Sequence, residues 1–198
     1  MRLLTTTVIL LLFSFNALAS DNAAHPAQAI VKDTTDKVLS TLRQNQDEAQ
    51  VKALIDEIIL PRFDFTTMSK WVLGKQWNKL DAGKQALFVD NFQQLLTNTY
   101  ATALTKFENE SIDVMPARVG KKPTVALVPT QVNLTNDKPM VISYMMLKTE
   151  QDWKVVDVSI SGISIIKNYR ATYASEIRKG GFDTLMQKII QKNELAGL

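Results

Sequence analysis

Residues 153–170 read WKVVDVSISGISIIKNYR, and two periods meet inside them. Trp153, Val155 and Asp157 alternate with Lys154, Val156, Val158 and Ile160, a period-two run that predicts a β-strand packed on both faces. Gly162 interrupts the run. From Tyr169 the spacing becomes Tyr169, Tyr173 and Ile177, one face of a helix. A buried strand therefore turns directly into a helix at residues 161–164.

Working back from that strand, Ile112 with Val114, residues 125–134 and residues 140–147 also read as strands separated by turn residues. Asn136, Asp137, Lys138 and Pro139 make one hairpin connection, and Glu150, Gln151 and Asp152 the next. Short connections between neighbours imply an antiparallel meander of four strands. The run MVISYMML at residues 140–147 is apolar on both sides. Val141, Met145 and Leu147 share one face, and Met140, Ile142, Tyr144 and Met146 the other, so both faces are expected to be covered. That is the pattern of a sheet between helices, and equally of a face that lines a cavity for an irregular apolar ligand.

Ahead of the strands the period is helical. Ile30, Val31, Val38, Leu39 and Leu42 follow Pro26. Asn45 with Glu48 resembles a capping arrangement for a helix through Val51, Leu54, Ile55, Ile58 and Ile59 that stops at Pro61. Phe65, Met68, Trp71 and Val72 form a short helix closed by Gly74. Asp81 caps a long one whose broad apolar face includes Leu87, Phe88, Phe92, Leu95, Leu96, Tyr100 and Leu104. After the strands, the Tyr169 helix breaks at Gly180 and Gly181, and Leu185, Met186, Ile189 and Ile190 continue it. The class is α+β: a four-stranded antiparallel sheet with helices N- and C-terminal to it.

Composition narrows the chemistry. Residues 1–19 hold Arg2, an apolar stretch over residues 8–15, and Ala17, Leu18 and Ala19 before Ser20, which predicts an export signal cleaved after Ala19 and one domain over residues 20–198. The chain has no cysteine, so neither a disulfide framework nor an acylated N-terminal cysteine is available, and a bacterial envelope context is expected. Lys and Arg number 23 against 20 acidic residues; losing Arg2 leaves 22 against 20, a net charge of +2. No basic run with interleaved aromatics points to nucleic acid. Lys121 and Lys122, beside Pro123, read as a solvated turn.

A catalytic reading has little to stand on. With His25 the only histidine and no cysteine, ordinary zinc sites and histidine-based triads are excluded. Ile166 stands where a nucleophile elbow needs its second glycine, whereas Ser164, Ile165, Ile166 and Lys167 do match S-x-x-K, the pattern of envelope acyl transferases. Neither an S-D-N nor a K-T-G element follows it. Asp157, on an otherwise valine and isoleucine strand, is the carboxylate expected to be buried, accepting backbone hydrogen bonds around the Gly162 turn.

The elements ILPRFDF, MSKWVLGKQW, KQALFVDNFQQLLTNTYATAL and DVSISGISIIKNYRATYASEIRKGGFDTL, in that order and spacing, resemble the periplasmic phospholipid-binding proteins of the Mla (maintenance of outer-membrane lipid asymmetry) and toluene-tolerance transport systems, the MlaC family. Asp157, Gly162, Ser164, Tyr169 and Arg170 match one motif, and Leu60, Pro61, Asp64, Leu73, Gly74 and Trp77 match two others. Asp81, Ala82 and Gly83 depart from the usual Ser/Thr-Pro start of the long helix. The resemblance implies an NTF2-like cone enclosing an apolar pocket, and a soluble, non-enzymatic carrier in the periplasm with no cofactor other than its phospholipid cargo. It implies partners on both sides: an outer-membrane lipoprotein bound to porin, and an MCE-domain subunit of an inner-membrane ABC transporter. The remaining readings are an envelope hydrolase or acyl transferase using Ser164 and Lys167, and a lipid-free adaptor. Strand phase then assigns the lipid contacts to Tyr144, Met146, Val156, Val158 and Ile160 on the sheet, with Phe92, Leu96 and Tyr100 facing them.

Overall fold

The computed structural model describes residues 24–44, 48–104, 110–135 and 137–196. The expected signal over residues 1–19, the Asn45 cap and Asn136 of the hairpin connection lie outside them, as does the side chain of Leu104.

Helix α1 (Pro26–Gln44) starts at a proline, which suits a first turn whose N–H groups have no partner in the helix. Helix α2 (Glu48–Leu54) does not run unbroken to Pro61 as its apolar period predicts. The chain widens into a π-turn over Ile55–Ile59 and tightens into a 3-10 turn over Leu60–Arg62, with the proline in its first turn. Helix α3 (Phe65–Leu73) is capped by Asp64, whose carboxylate accepts from the Thr67 N–H at 2.9 Å and the Thr67 hydroxyl at 2.6 Å. It ends at Gly74, φ +55°, a backbone conformation that favours glycine, and a Cβ there would come within 3.2 Å of the Arg170 guanidinium, which would have to give way. A 3-10 turn over Gly74–Lys79 leads to α4 (Ala82–Leu104), whose Lys84 N–H is held at 2.8 Å by Asp81, as expected of an N-cap.

The sheet has six strands rather than the four expected: β1 (Ser111–Val114), β2 (Arg118–Val119), β3 (Val125–Asn133), β4 (Met140–Lys148), β5 (Trp153–Ile160) and β6 (Ile163–Ser164). All named pairings are antiparallel, in the order β1-β3-β4-β5-β6 with β2 beside β3. The two additional strands, β2 and β6, have two residues each, too short for any alternation to show. Strand β6 exists because Ser161 and Gly162 both take positive φ, 49° and 84°, the requirement of a tight two-residue hairpin. Helix α5 (Ile165–Ala196) follows at once and is kinked at Gly181. An ion pair between Glu176 and Lys188 spans the kink and pulls the Glu176 carboxyl below its usual range.

Helix α1 lies across one face of the sheet, touching β1, β3 and β5. Helices α3 and α5 touch β5 from the other side and pack with α4, where Phe88, Phe92, Tyr173, Leu185, Met186 and Ile189 are closed to solvent. Helix α3 is held to the sheet where Asp64 N–H donates to the Val155 carbonyl at 3.0 Å.

Candidate functional site

Directly opposed residues of antiparallel strands share a face. On the α1 side the register forms the rows Ala126–Met146–Val155, Val128–Tyr144–Val158 and Thr130–Ile142–Ile160, all apolar apart from Thr130 and the tyrosine hydroxyl. Ala27 and Val31 of α1 seal one end of this surface against Ala126, Val128, Met146, Trp153 and Val155, and Ala126, Val128 and Met146 are wholly out of solvent. Beyond α1, Met140, Ile142, Tyr144, Val158 and Ile160 stay half-buried, and Ile163, opposite Ile160, is 69% exposed. The result is an apolar strip, one end of it core and the other open. Its polar atom, the Tyr144 hydroxyl, shares a hydrogen bond with Thr130, and burial pushes the phenol pKa up against a smaller lowering by that bond.

The eight residues that strand phase assigns to lipid do not come together. Between Met145 and Met146 the β4–β5 register shifts: Met145 opposes Asp157 and Met146 opposes Val155, leaving Val156 as an extra residue in a β-bulge. The alternation therefore changes sides there. Tyr144, Met146, Val158 and Ile160 belong to the α1 face, whereas Val156 turns to the helical side and packs in the cluster that holds Phe92 and Leu96. In that cluster Phe92 meets Tyr169 edge-on at 5.3 Å and stacks on Phe88 at 5.5 Å, and Tyr169 contacts Tyr173 at 5.3 Å. Tyr100 is partly buried at its margin. Burial pushes the phenols of Tyr100, Tyr169 and Tyr173 above the ordinary tyrosine value, the neighbouring Tyr169 adding to the shift at Tyr100 and Tyr173, and a Thr99 hydrogen bond opposing it at Tyr169.

The S-x-x-K residues have a structural job. Ser164 Oγ donates to Asp157 Oδ2 at 2.6 Å and accepts from the Lys167 N–H at 3.0 Å, while Asp157 Oδ1 accepts from the Ile166 N–H at 3.1 Å. Together they cap α5 and tie it to β5, with the serine hydroxyl held between the Asp157 carboxylate and the Lys167 N–H. His25 is likewise built in: Nδ1 accepts from the Ala27 N–H at 3.2 Å at the start of α1, and the ring meets Trp153 edge-on at 4.9 Å. Among the described residues no group of three or more His, Asp or Glu side chains is placed to hold a metal, and no helix is long and apolar enough to cross a membrane.

Sequence reasoning missed one surface. A cleft of 460 Å³ is lined by Arg118, Val119, Gly120, Lys121, Lys122, Val125, Leu127 and Met145. A lysine pair beside a proline carries no signal for it, because only strand pairing brings Arg118 and Met145 next to that turn.

The class is thus an α+β domain of one antiparallel sheet flanked by helices, distinguished by apolar surface rather than by a constellation of reactive groups. The chain belongs to the MlaC protein family, whose profile matches residues 32–191. It is 26% identical over 169 residues to the toluene tolerance protein ttg2D of Pseudomonas putida, covering 81% of this chain and 77% of that protein. It is 22% identical over 170 residues to the intermembrane phospholipid transport system binding protein MlaC of Haemophilus influenzae, covering 82% and 79%. The fold is shared with the phospholipid-binding protein of Ralstonia solanacearum, solved in complex with a phospholipid, at a TM-score of 0.79 and 30% identity, over 88% of this chain and all of that one.

Proposed function

We propose that this protein is a periplasmic phospholipid carrier, exchanging lipid between an outer-membrane lipoprotein–porin complex and an MCE-domain subunit of an inner-membrane ABC transporter, and so maintaining outer-membrane lipid asymmetry. The observation that carries the proposal is the shared fold with a relative that holds a phospholipid, at 30% identity over 88% of this chain. The half-buried strip on the α1 face supports it, since acyl chains need apolar area without charge. Two chains have on the order of 30 methylenes, and at about 0.8 kcal/mol each, exposing them to water would cost on the order of 24 kcal/mol. Unassisted passage through water is thereby ruled out, and a protein surface as apolar as the bilayer makes transfer close to neutral. Tyr144, Val158 and Ile160 are the proposed tail contacts on the sheet, with Met146 as floor; Tyr100, on the helical side, is not among them. No reaction is assigned to the carrier itself, and the headgroup stays in water at the mouth.

Native mass spectrometry of protein gently purified from the bacterial envelope tests this. A mass increment equal to a diacyl phospholipid is expected, with one phosphorus extractable per protein. Repeated recovery of lipid-free protein from envelope material would reject the carrier in favour of an adaptor.

A further inference from the structure

The 460 Å³ cleft lies on the helical side of the sheet, the face opposite the strip just described. Its floor is apolar: Leu127 and Met145 are cross-strand partners, and with Val125 they remain half-buried rather than closed. Its rim is cationic. Arg118 is the strand partner of Leu127 on β2, and Lys121 and Lys122 follow in the exposed turn. None of these three forms an ion pair among the described residues. Lys32, Lys37, Lys52 and Lys84 each have an aspartate within 2.9 Å, whereas these three cations share one depression whose lining holds no carboxylate.

Three like charges around one depression repel one another until an anion sits between them, and a guanidinium offers a forked donor to a carboxylate or phosphate. The apolar floor asks for hydrocarbon, and the volume is that of an ordinary small-molecule site. One tail and one negative head satisfy both requirements. A diacyl lipid has a second chain for which this floor offers no surface. We propose that the cleft binds a single-chain anionic amphiphile, a fatty-acid carboxylate or a monoacyl phosphate, independently of the diacyl site on the α1 face.

The test uses the mature protein as purified, with its phospholipid content measured first, and titrates it calorimetrically with laurate and with dodecyl phosphate below their micellar concentrations. Native mass spectrometry follows the stoichiometry. One equivalent of either anion is expected to add without displacing phospholipid, with the preference between the two reporting whether carboxylate or phosphate is the better head. Affinity should drop about tenfold or more in Arg118→Glu/Lys121→Glu/Lys122→Glu, and fall as salt rises. Neutral dodecyl maltoside should bind at least about tenfold more weakly. Filling the floor by Leu127→Trp should abolish binding, and because that variant alters a strand, the exposed charge variant is the decisive one once circular dichroism shows it folded.

Four results would overturn the proposal. They are no uptake of either anion, uptake that displaces phospholipid one for one, uptake indifferent to the triple charge reversal, and equal uptake of the neutral detergent. Binding to phosphatidylglycerol vesicles that the charge reversal abolishes, with no laurate or dodecyl phosphate uptake, would make this face a membrane contact and likewise reject the site. Protein that purifies without phospholipid leaves the measurement intact, so the carrier and the cleft can fail separately.

Discussion

The two faces of one sheet have been finished differently. On the helical side, α3, α4 and α5 close Phe88, Phe92, Val156 and Tyr173 into a core with almost no exposure around β5. On the other side α1 stands against the sheet and crosses the strands. A helix is roughly 10 Å wide with its side chains, whereas nine-residue strands such as β3 and β4 run for about 30 Å. One crossing helix therefore seals Ala126, Met146 and Val155 and leaves Ile142, Tyr144, Val158 and Ile160 half-buried. Equal hydrophobicity on two faces does not mean equal burial; the number and direction of covering helices decide which becomes core and which becomes site.

The comparison is broken most directly at Phe92, which is fully buried between Phe88, Tyr169 and Tyr173. Phe92→Ala is expected to cost about 3–5 kcal/mol in chemical denaturation, the range for truncating a buried aromatic. Phospholipid per folded molecule should be unchanged, and a loss of lipid with wild-type stability would move the site to the helical side.

Next comes Asp157→Ala, which leaves the Ile166 N–H and the Ser164 hydroxyl without their acceptor. A loss of about 1–3 kcal/mol is expected from the unmade bonds. Ser164→Ala should lose less, since the carboxylate can still accept from Ile166. If instead Ser164 were a nucleophile, an active-site serine reagent would label the wild type and the alanine variant would be folded but inert.

Alkaline titration reads both faces together. All four tyrosines have phenols raised above the ordinary value of 10.0, Tyr144 on the α1 face and the other three on the helical side. In the unfolded chain they ionise near pH 10, so above that pH the unfolded state binds fewer protons than the folded one and stability falls as pH rises. Below pH 10 these groups contribute no pH dependence. Tyrosinate absorbance should therefore appear late and together with loss of ellipticity. Loading with phospholipid should delay the Tyr144 component, identified by its absence in Tyr144→Phe, and a delay confined to the other three would contradict the assignment of the strip.

Val158→Trp is the smaller effect on stability and the sharper one on function. Val158 is only half-buried, so an indole can project into the open strip, and the denaturation midpoint of delipidated protein should shift by less than about 1 kcal/mol equivalent. Extractable phosphorus should drop sharply. The same substitution in a closed core would cost about 1–3 kcal/mol by overpacking, and that cost with lipid content intact would assign Val158 to core. The smallest effect is expected at Ser69→Ala on α3, whose buried hydroxyl has no hydrogen-bond partner among the described residues. Stability should be equal or slightly higher, because an unpaired polar atom leaves the core.

The amino-acid sequence by itself determined the long helices, the four longer strands and their order, but not the two-residue strands β2 and β6 or the π and 3-10 turns before α3. Local chemistry is enough for that: the period change at Gly162, the aspartates at the starts of α3 and α4, the glycine that ends α3 and the break at Gly181 each act within a few residues of where they stand. The sequence also carried the family, through motifs spread over the chain. The faces were decided by tertiary structure. Strand phase treats alternation as unbroken, and the extra residue at Val156 reverses it, a shift that exists only because Met145 and Met146 pair where they do. Strand phase therefore groups Val156, Phe92, Leu96 and Tyr100 with Tyr144, Met146, Val158 and Ile160, although a sheet separates the two sets. The cationic cleft has the same origin. Arg118, Lys121 and Met145 acquire a common site through pairings across β2, β3 and β4, and no local pattern records a neighbour that hydrogen bonding between distant strands supplies.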